Sequence, residues 1–362
     1  MNQVFNPAML KLARESRGLS QNELCLILEV GQGTISKYEN AISTPNAELL
    51  EKISKSLKYP DTFFCQTSPV YPANLVYYRK RLDISKDILL KAEARMNIAR
   101  MTLEKMLESV DIPATDIPNW DIESNGSPEQ AGQWLRSKWR VPKGKISSPI
   151  KLLENHGVII IPFDFETLKI SGLSMFTTNN HPVIFVNRHM PSDRQLLTVY
   201  HEFGHIIHHL RSKPSFDRDV EKEAFAFASE FLVPAEEFES SFHHLDINTL
   251  SSLKLYWNLS MGALIMKASK CNRITANQEK YLWAQMSRLG YRLKEPSELD
   301  PIIEPPSLVQ EIVKALLGYY NYTLDQLANV FCINQDDLSS NLGIERPETR
   351  VVKLKIAEVK SV

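Results

Sequence analysis

The stretch His201-Glu202-Phe203-Gly204-His205 lies inside an apolar-periodic run from Asp193 to Arg211 that reads as one amphipathic helix. An α-helix advances about 1.5 Å and 100° per residue, so side chains four apart stack on one face, one turn above the other. His201 and His205 can therefore hold one ion, with both imidazole nitrogens within the ~2.0–2.1 Å that zinc requires. Glu202, one step round the helix, points beside that ion, where a carboxylate serves as general base toward a water. His208 and His209 continue the stripe. Ligands at His201, His205 and His209 would spread over about two turns, roughly 12 Å of rise, and one ion cannot reach both ends. The last two histidines are therefore read as supporting or solvated groups. Ahead of the helix, Pro182-Val183-Ile184-Phe185-Val186-Asn187 is a β-branched and aromatic run, expected to be a strand and a candidate wall of a substrate groove.

A hydrolytic zinc needs a third protein ligand and an open position. The next helical pattern runs from Glu221 through Lys222, Glu223, Ala224, Phe225, Ala226, Phe227, Ala228, Ser229, Glu230, Phe231, Leu232 and Val233, and Pro234 stops it. Periodicity makes Ala224, Phe227, Ala228 and Phe231 the packed stripe, with Glu221 one turn before Ala224 on nearly the same inward face and Glu223 and Glu230 pointing elsewhere. A carboxylate turned inward among Phe and Ala is costly unless paired or bound to a cation. Glu221 is thus the candidate third ligand, the alternative being that it only supports the helix N-terminus through the dipole.

These segments, HEFGH (201–205), EKEAFAFASEFLVP (221–234), SGLSMF (171–176), PVIFVN (182–187) and the joining SDRQLLTVYHEFGH (192–205), resemble the ImmA/IrrE family of zinc metallopeptidases over roughly residues 130–240. The resemblance implies a zincin-like fold in which His201, His205 and Glu221 hold zinc and Glu202 is the base. One departure is Phe225, where many members carry Asn.

At 362 residues the chain is expected to form two or three domains, and 43% hydrophobic with 23% charged residues is the composition of a soluble globular protein. No apolar run approaches the ~18 residues of a membrane span and the N-terminus has no signal-peptide pattern, so a cytoplasmic location is expected. Cys25, Cys65, Cys271 and Cys332 are far apart, which indicates neither a disulfide framework nor a cysteine zinc site. The net charge of −1 gives no overall preference for nucleic acid, but residues 79–105 hold eight Lys or Arg against four carboxylates. That run is either a phosphate-binding patch or, more ordinarily, a solvated helix face.

Residues 6–58 show four short helical patterns, at 7–14, 21–28, 32–40 and 47–57. Ser20 and Glu23 form a capping box and Gly31-Gln32-Gly33 separates the second helix from the third. The small core would be Met9, Leu12, Ala13, Leu19, Leu24, Ile27, Leu28, Ile35, Tyr38, Leu49, Leu50 and Ile53. Gln32, Gly33, Thr34, Ser36 and Lys37 then face outward, with the amides, hydroxyls and lysine a major-groove reader uses. Gly33 is expected to weaken that helix by up to about 1 kcal/mol. The order LSQNEL, GQGTISKYEN, STPNAELLEKISKSL resembles the Xre-type (lambda-repressor-like) DNA-binding domains over roughly residues 5–65. The resemblance implies that Gln21 anchors to phosphate and that Gln32, Gly33, Thr34, Ser36 and Lys37, with Asn40 near the helix end, contact double-stranded DNA.

Further along, Tyr77–Ser109 reads as a long helix, serving as a rigid link or a dimer interface, and 112–128 as a linker. Residues 128–138 and 150–156 read as helices and 157–162 as a buried strand. Beyond Pro234 the chain is helical at 248–272, 277–289, 307–318, 324–330 and 335–340, and Tyr322–Leu342 mimics a second helix-turn-helix without a basic face, which reads as a packing or sensing extension. The expected fold is mainly α with an α+β centre. Its expected parts are a helix-turn-helix bundle at 1–70, a connector at 71–125, a zincin-like metallopeptidase domain with a small sheet at 126–245, and a helical extension at 246–362. Chains that combine the two kinds of domain resemble bacterial and prophage transcriptional regulators. Two functions compete: a regulator whose zinc endopeptidase cleaves a protein, such as a repressor or itself, and a non-hydrolytic transcription factor or antitoxin-like repressor that uses the peptidase fold as a sensor. A homodimer is expected on DNA, since one such unit spans a half-site.

Overall fold

The computed structural model describes residues 4–71, 84–211, 214, 215, 217–319 and 321–344. The chain opens with α1 (Pro7–Ser16), α2 (Gln21–Ile27), α3 (Thr34–Glu39) and α4 (Ala47–Leu57). Asn6 caps α1 ahead of Pro7, and Ser20 and Glu23 complete a reciprocal capping box on α2, so each helix starts where a side-chain oxygen satisfies an orphan N–H. Met9, Leu24, Ile35 and Ile53 close the small core, whereas Ile27, expected inside it, is 52% exposed at the end of α2. Gly33 is the N-cap of α3 at φ 84°, in the left-handed region where a Cβ would be strained. It shapes the turn before the helix and does not weaken its interior, and Gln32 also precedes the helix.

The sheet has three strands, β1 (Ile159–Phe163), β2 (Gly172–Phe176) and β3 (Pro182–Asn187), in the order β1-β3-β2. β3 pairs in parallel with β1 and antiparallel with β2, with Leu173 opposite Phe185. The run expected to wall a groove is therefore the central strand, buried along its whole length, and β1 and β2 are the edges of the sheet. Because strand side chains alternate between faces, the sheet serves two cores. Ile159, Ile161, Phe163, Val183 and Phe185 join one core with the N-terminal bundle and the last helices, while Ile160, Ile184 and Val186 join the other.

That second core is built on α9 (Ser192–His208) and α10 (Val220–Leu232). Around them lie α7 (Pro128–Lys138), α8 (Pro149–Asn155), α11 (Ala235–Glu239), α12 (Ile247–Trp257), α13 (Met261–Lys270) and α14 (Ala276–Arg288), while the short α6 (Ile122–Asn125) buries none of its residues. The pattern at 248–272 is two helices and not one, because Asn258 takes φ 60° and turns the chain between them. Buried Lys254 on α12 pairs with Asp193 at the start of α9, and also with Glu295 at 2.9 Å and Asp300 at 3.3 Å. The extension is thereby tied to the helix that carries the two candidate histidine ligands. Among the described residues no helix is long and apolar enough to cross a membrane.

α5 (Lys86–Leu107) packs on α1 and joins the first core; the part of the expected long helix at 77–83, with Arg79, Lys80 and Arg81, lies outside the described residues. Apart from exposed Lys86, its bases do not form a solvated face. Arg100 is fully buried and bonds Glu104 at 2.6 Å, Lys91 reaches Glu166 at 2.7 Å, and Arg95 donates to Asp164 O at 2.8 Å. Nor is 112–128 a loose linker. Ile117 is buried, Trp120 N–H donates to Ile207 O at 3.0 Å, and Trp120 Nε1 donates to Gly126 O at 2.9 Å, so the segment is strapped to the end of α9.

The chain closes with α15 (Leu308–Tyr319), α16 (Leu324–Val330) and α17 (Gln335–Leu342). Thr323 and Gln326 repeat the capping box of Ser20 and Glu23, and Cys332 at φ 59° repeats the turn made by Glu29 at φ 55°. Its second helix is turned inward, however. Leu338 and Asn341 on α17 are buried, and Asp337 accepts from Arg17 Nη1 at 2.8 Å and Nη2 at 2.6 Å. This second helix-turn-helix outline is a packing element that grips the N-terminal bundle.

Candidate metal centre and nucleic-acid interface

The close approach of α9 and α10 builds the site. A Cβ at Gly204 would lie 2.9 Å from Ala224 O and 3.0 Å from Ala224 Cα, so the two backbones touch where the glycine leaves space. Phe203 and Phe227 pack edge to face at 5.7 Å and Tyr200 stacks on Phe231 at 5.2 Å, which fixes the helix pair beyond that contact. Glu221, one turn before Ala224, is thereby set opposite His201 and His205. Gly204→Ala is expected to force the helices apart and to cost about 1–3 kcal/mol. Because Glu221 moves with α10, it should also weaken metal binding; thermal unfolding with and without zinc measures both effects.

His201 Nε2 lies 3.2 Å from His205 Nε2 and 3.4 Å from Glu221 Oε2, and His205 Nε2 lies 3.4 Å from Glu221 Oε1. A tetrahedral ion with bonds of ~2.0–2.1 Å needs donor atoms roughly 3.3–3.4 Å apart. The two imidazoles come close to that spacing and Glu221 meets each of them through a different carboxylate oxygen; among the described residues the three form a convergent group, one ligand atom from each lying within 4.8 Å of the others, that could hold a metal. Burial opposes ionisation of Glu221, but hydrogen bonds from His201 and His205 hold its carboxyl well below the ordinary value, so it presents a charged oxygen to the centre.

Glu202 is only 2% exposed and lies against β2, where Ser174 Oγ donates to its Oε2 at 2.8 Å. A Cβ at Gly172 would come within 3.2 Å of Glu202 Cγ, so the strand lies directly on this side chain. Ser174 is a residue the sequence reading did not single out. Its signal was a hydroxyl in a short apolar strand, on the same face as a glycine two positions earlier. His208 and His209 are not solvated either. His208 Nδ1 lies 3.0 Å from Trp120 O, and His209 Nδ1 lies 2.9 Å from His205 Nδ1. Burial, with His205 alongside, pushes the His209 pKa down to about 3, so its ring is neutral. Of the two carboxylates expected to point elsewhere, Glu223 bonds His209 Nε2 at 2.9 Å and Glu230 pairs with buried Lys267 at 2.6 Å.

On the N-terminal bundle, Gln32, Lys37 and Asn40 are exposed and Gly33, Thr34 and Ser36 half-buried, all on or beside α3, which Ile35 and Tyr38 anchor to the core. Asn40 Nδ2 donates to Ser36 O at 2.8 Å and so closes the end of the helix. Gln21 sits at the start of α2, with its amide donating to Glu39 Oε2 at 2.7 Å. Glu39 is itself held by buried Arg14 at 2.6 Å. The contact with α17 is made by Arg17 and by Lys58 O, which accepts from Asn334 at 2.6 Å.

Two family models match parts of the chain. Residues 10–64 match the helix-turn-helix family, and residues 153–269 match the IrrE N-terminal-like domain, a peptidase family. The chain is a fusion of a helix-turn-helix DNA-binding domain of the Xre-like kind with a domain like that of the ImmA/IrrE metallopeptidases. No curated protein matches its sequence.

Proposed function

We propose that the protein is a DNA-binding transcriptional regulator whose second domain hydrolyses a peptide bond in a regulatory protein, with a repressor as the leading substrate class and zinc as the metal. The observation that carries the reading is the convergence of His201, His205 and Glu221 beside Glu202. Those three side chains would hold the zinc, which would supply Lewis acidity toward a carbonyl and a water. Glu202 takes the proton from the attacking water, and Ser174 Oγ fixes the orientation of its carboxylate. A regulator of this kind works where DNA is, in the cytoplasm, with residues 1–70 on the operator, 71–125 as connector, 126–245 as the peptidase centre and 246–362 as its extension.

The test is incubation of the zinc-loaded protein with the proteins encoded beside it, followed by mass spectrometry of new termini. Cleavage that a chelator abolishes supports the reading. Intact proteins with a confirmed zinc load favour the second reading, a non-hydrolytic regulator that senses metal or a partner. That reading has its own support, since Glu202 is almost fully covered and the first core runs without a break from the DNA-binding bundle to the sheet.

For DNA, phosphate neutralisation supplies sequence-independent affinity while groove contacts discriminate. Gln32→Ala and Lys37→Ala are therefore expected to lower the preference for the operator by about 1–3 kcal/mol each, with a smaller loss on random duplex. Titrations of the full chain at constant salt measure both, and equal losses would mean that these side chains do not read bases. A dimer should bind far more tightly than a monomer, since one unit covers a half-site.

A further inference from the structure

We propose that His209 and Glu223 are positioning residues that lock the ring of His205 in its metal-binding orientation, through a chain of hydrogen bonds ending on Arg218. The inference rests on the reading of His201, His205 and Glu221 as ligands. His205 turns Nε2 toward His201 and Glu221, and its other ring nitrogen, Nδ1, lies 2.9 Å from His209 Nδ1. An imidazole that binds a metal through Nε2 carries its proton on Nδ1, and such a ligand nearly always donates that proton to a fixed acceptor. The acceptor here is His209 Nδ1. His209 must then carry its own proton on Nε2, which lies 2.9 Å from Glu223 Oε2.

Glu223 is gripped in turn by Arg218, whose Nε lies 3.0 Å from Oε1 and whose Nη2 lies 2.8 Å from Oε2. Both imidazole N–H bonds therefore point outward from the metal, and the last carboxylate is neutralised by a guanidinium. The His209 side chain is 0% exposed, so water does not compete for either nitrogen. The layout follows from helical spacing. His209 stands four residues after His205 at the end of α9, and Glu223 stands two residues after Glu221 in the first turn of α10, so one helix turn supplies a ligand and the anchor of the other ligand's support.

The experiment is zinc competition against a chromophoric chelator on the full-length chain, with the visible spectrum of the cobalt-substituted protein as a second readout. His209→Leu is expected to weaken zinc by about 10–100-fold and to shift the cobalt bands. His209→Asn places an amide oxygen where Nδ1 stood and should recover most of that loss, which a merely space-filling role for His209 does not predict. Glu223→Ala tests the same chain one link further out, and remains informative should His209→Leu not fold. It is expected to weaken zinc about tenfold, and the double variant should be no worse than His209→Leu alone, because both cut one path. Zinc lost in His201→Ala but bound at wild-type strength in folded His209→Leu or Glu223→Ala overturns the positioning role. A wild-type chain that binds no zinc, or His201→Ala that keeps it, overturns the ligand assignment beneath it.

Discussion

Glu202→Gln is expected to leave zinc content unchanged and to slow peptide hydrolysis by about 10²–10⁴-fold, the usual contribution of a general base. The substitution suits the site. Gln has the size of Glu, and its amide oxygen can still accept from Ser174 Oγ, so the packing of β2 on α9 survives. What disappears is the ability to take a proton from water. Metal analysis alongside fragment counting separates this from a loss of zinc. Equal hydrolysis by the variant and the wild type would remove Glu202 from the reaction.

The burial of Glu202 also shows where reading the chain alone stops. The helical spacing that stacks His201 and His205 is local, and so is the inward phase of Glu221 relative to Ala224, Phe227 and Phe231; both were legible from periodicity. The partner that covers Glu202 is not local. Ser174 reaches it from a strand 28 positions away, and no pattern within β2 says that the strand lies on α9. The same holds for His209. Its spacing from His201 argues that one ion cannot bind both, but the role left open, a bond to His205 continued by Glu223, depends on how α10 crosses α9. The basic run of α5 failed for a related reason. Sequence shows its charges but not that Glu166 and Asp164 come from a different part of the chain to meet them. The helix-turn-helix outline at both ends was equally legible in its caps and turns, yet only packing reveals that the second copy faces inward, with Asp337 on Arg17.

Glu221→Ala is expected to weaken zinc by about a thousandfold. Zinc held by four protein ligands in small folding units is bound with about 10–16 kcal/mol, so each ligand accounts for several kcal/mol. Glu221 is the one anionic ligand of the three; the imidazoles are neutral when they bind a metal. Its loss also removes the charge that offsets the cation in a half-buried site. Linkage gives the measurement. At free zinc one hundred times its dissociation constant, the wild-type fold gains about 2.7 kcal/mol, whereas a variant bound a thousandfold more weakly gains only about 0.06 kcal/mol at the same concentration. The zinc-dependent rise in melting temperature should therefore vanish in Glu221→Ala. The metal-free variant should melt somewhat below the metal-free wild type, because the imidazole contacts of Glu221 outweigh the cost of burying its carboxylate; the decisive readout is the rise that zinc produces within each protein. If instead the variant keeps the zinc-dependent rise, Glu221 serves the N-terminus of α10 through the helix dipole, and the third ligand must come from elsewhere in the chain.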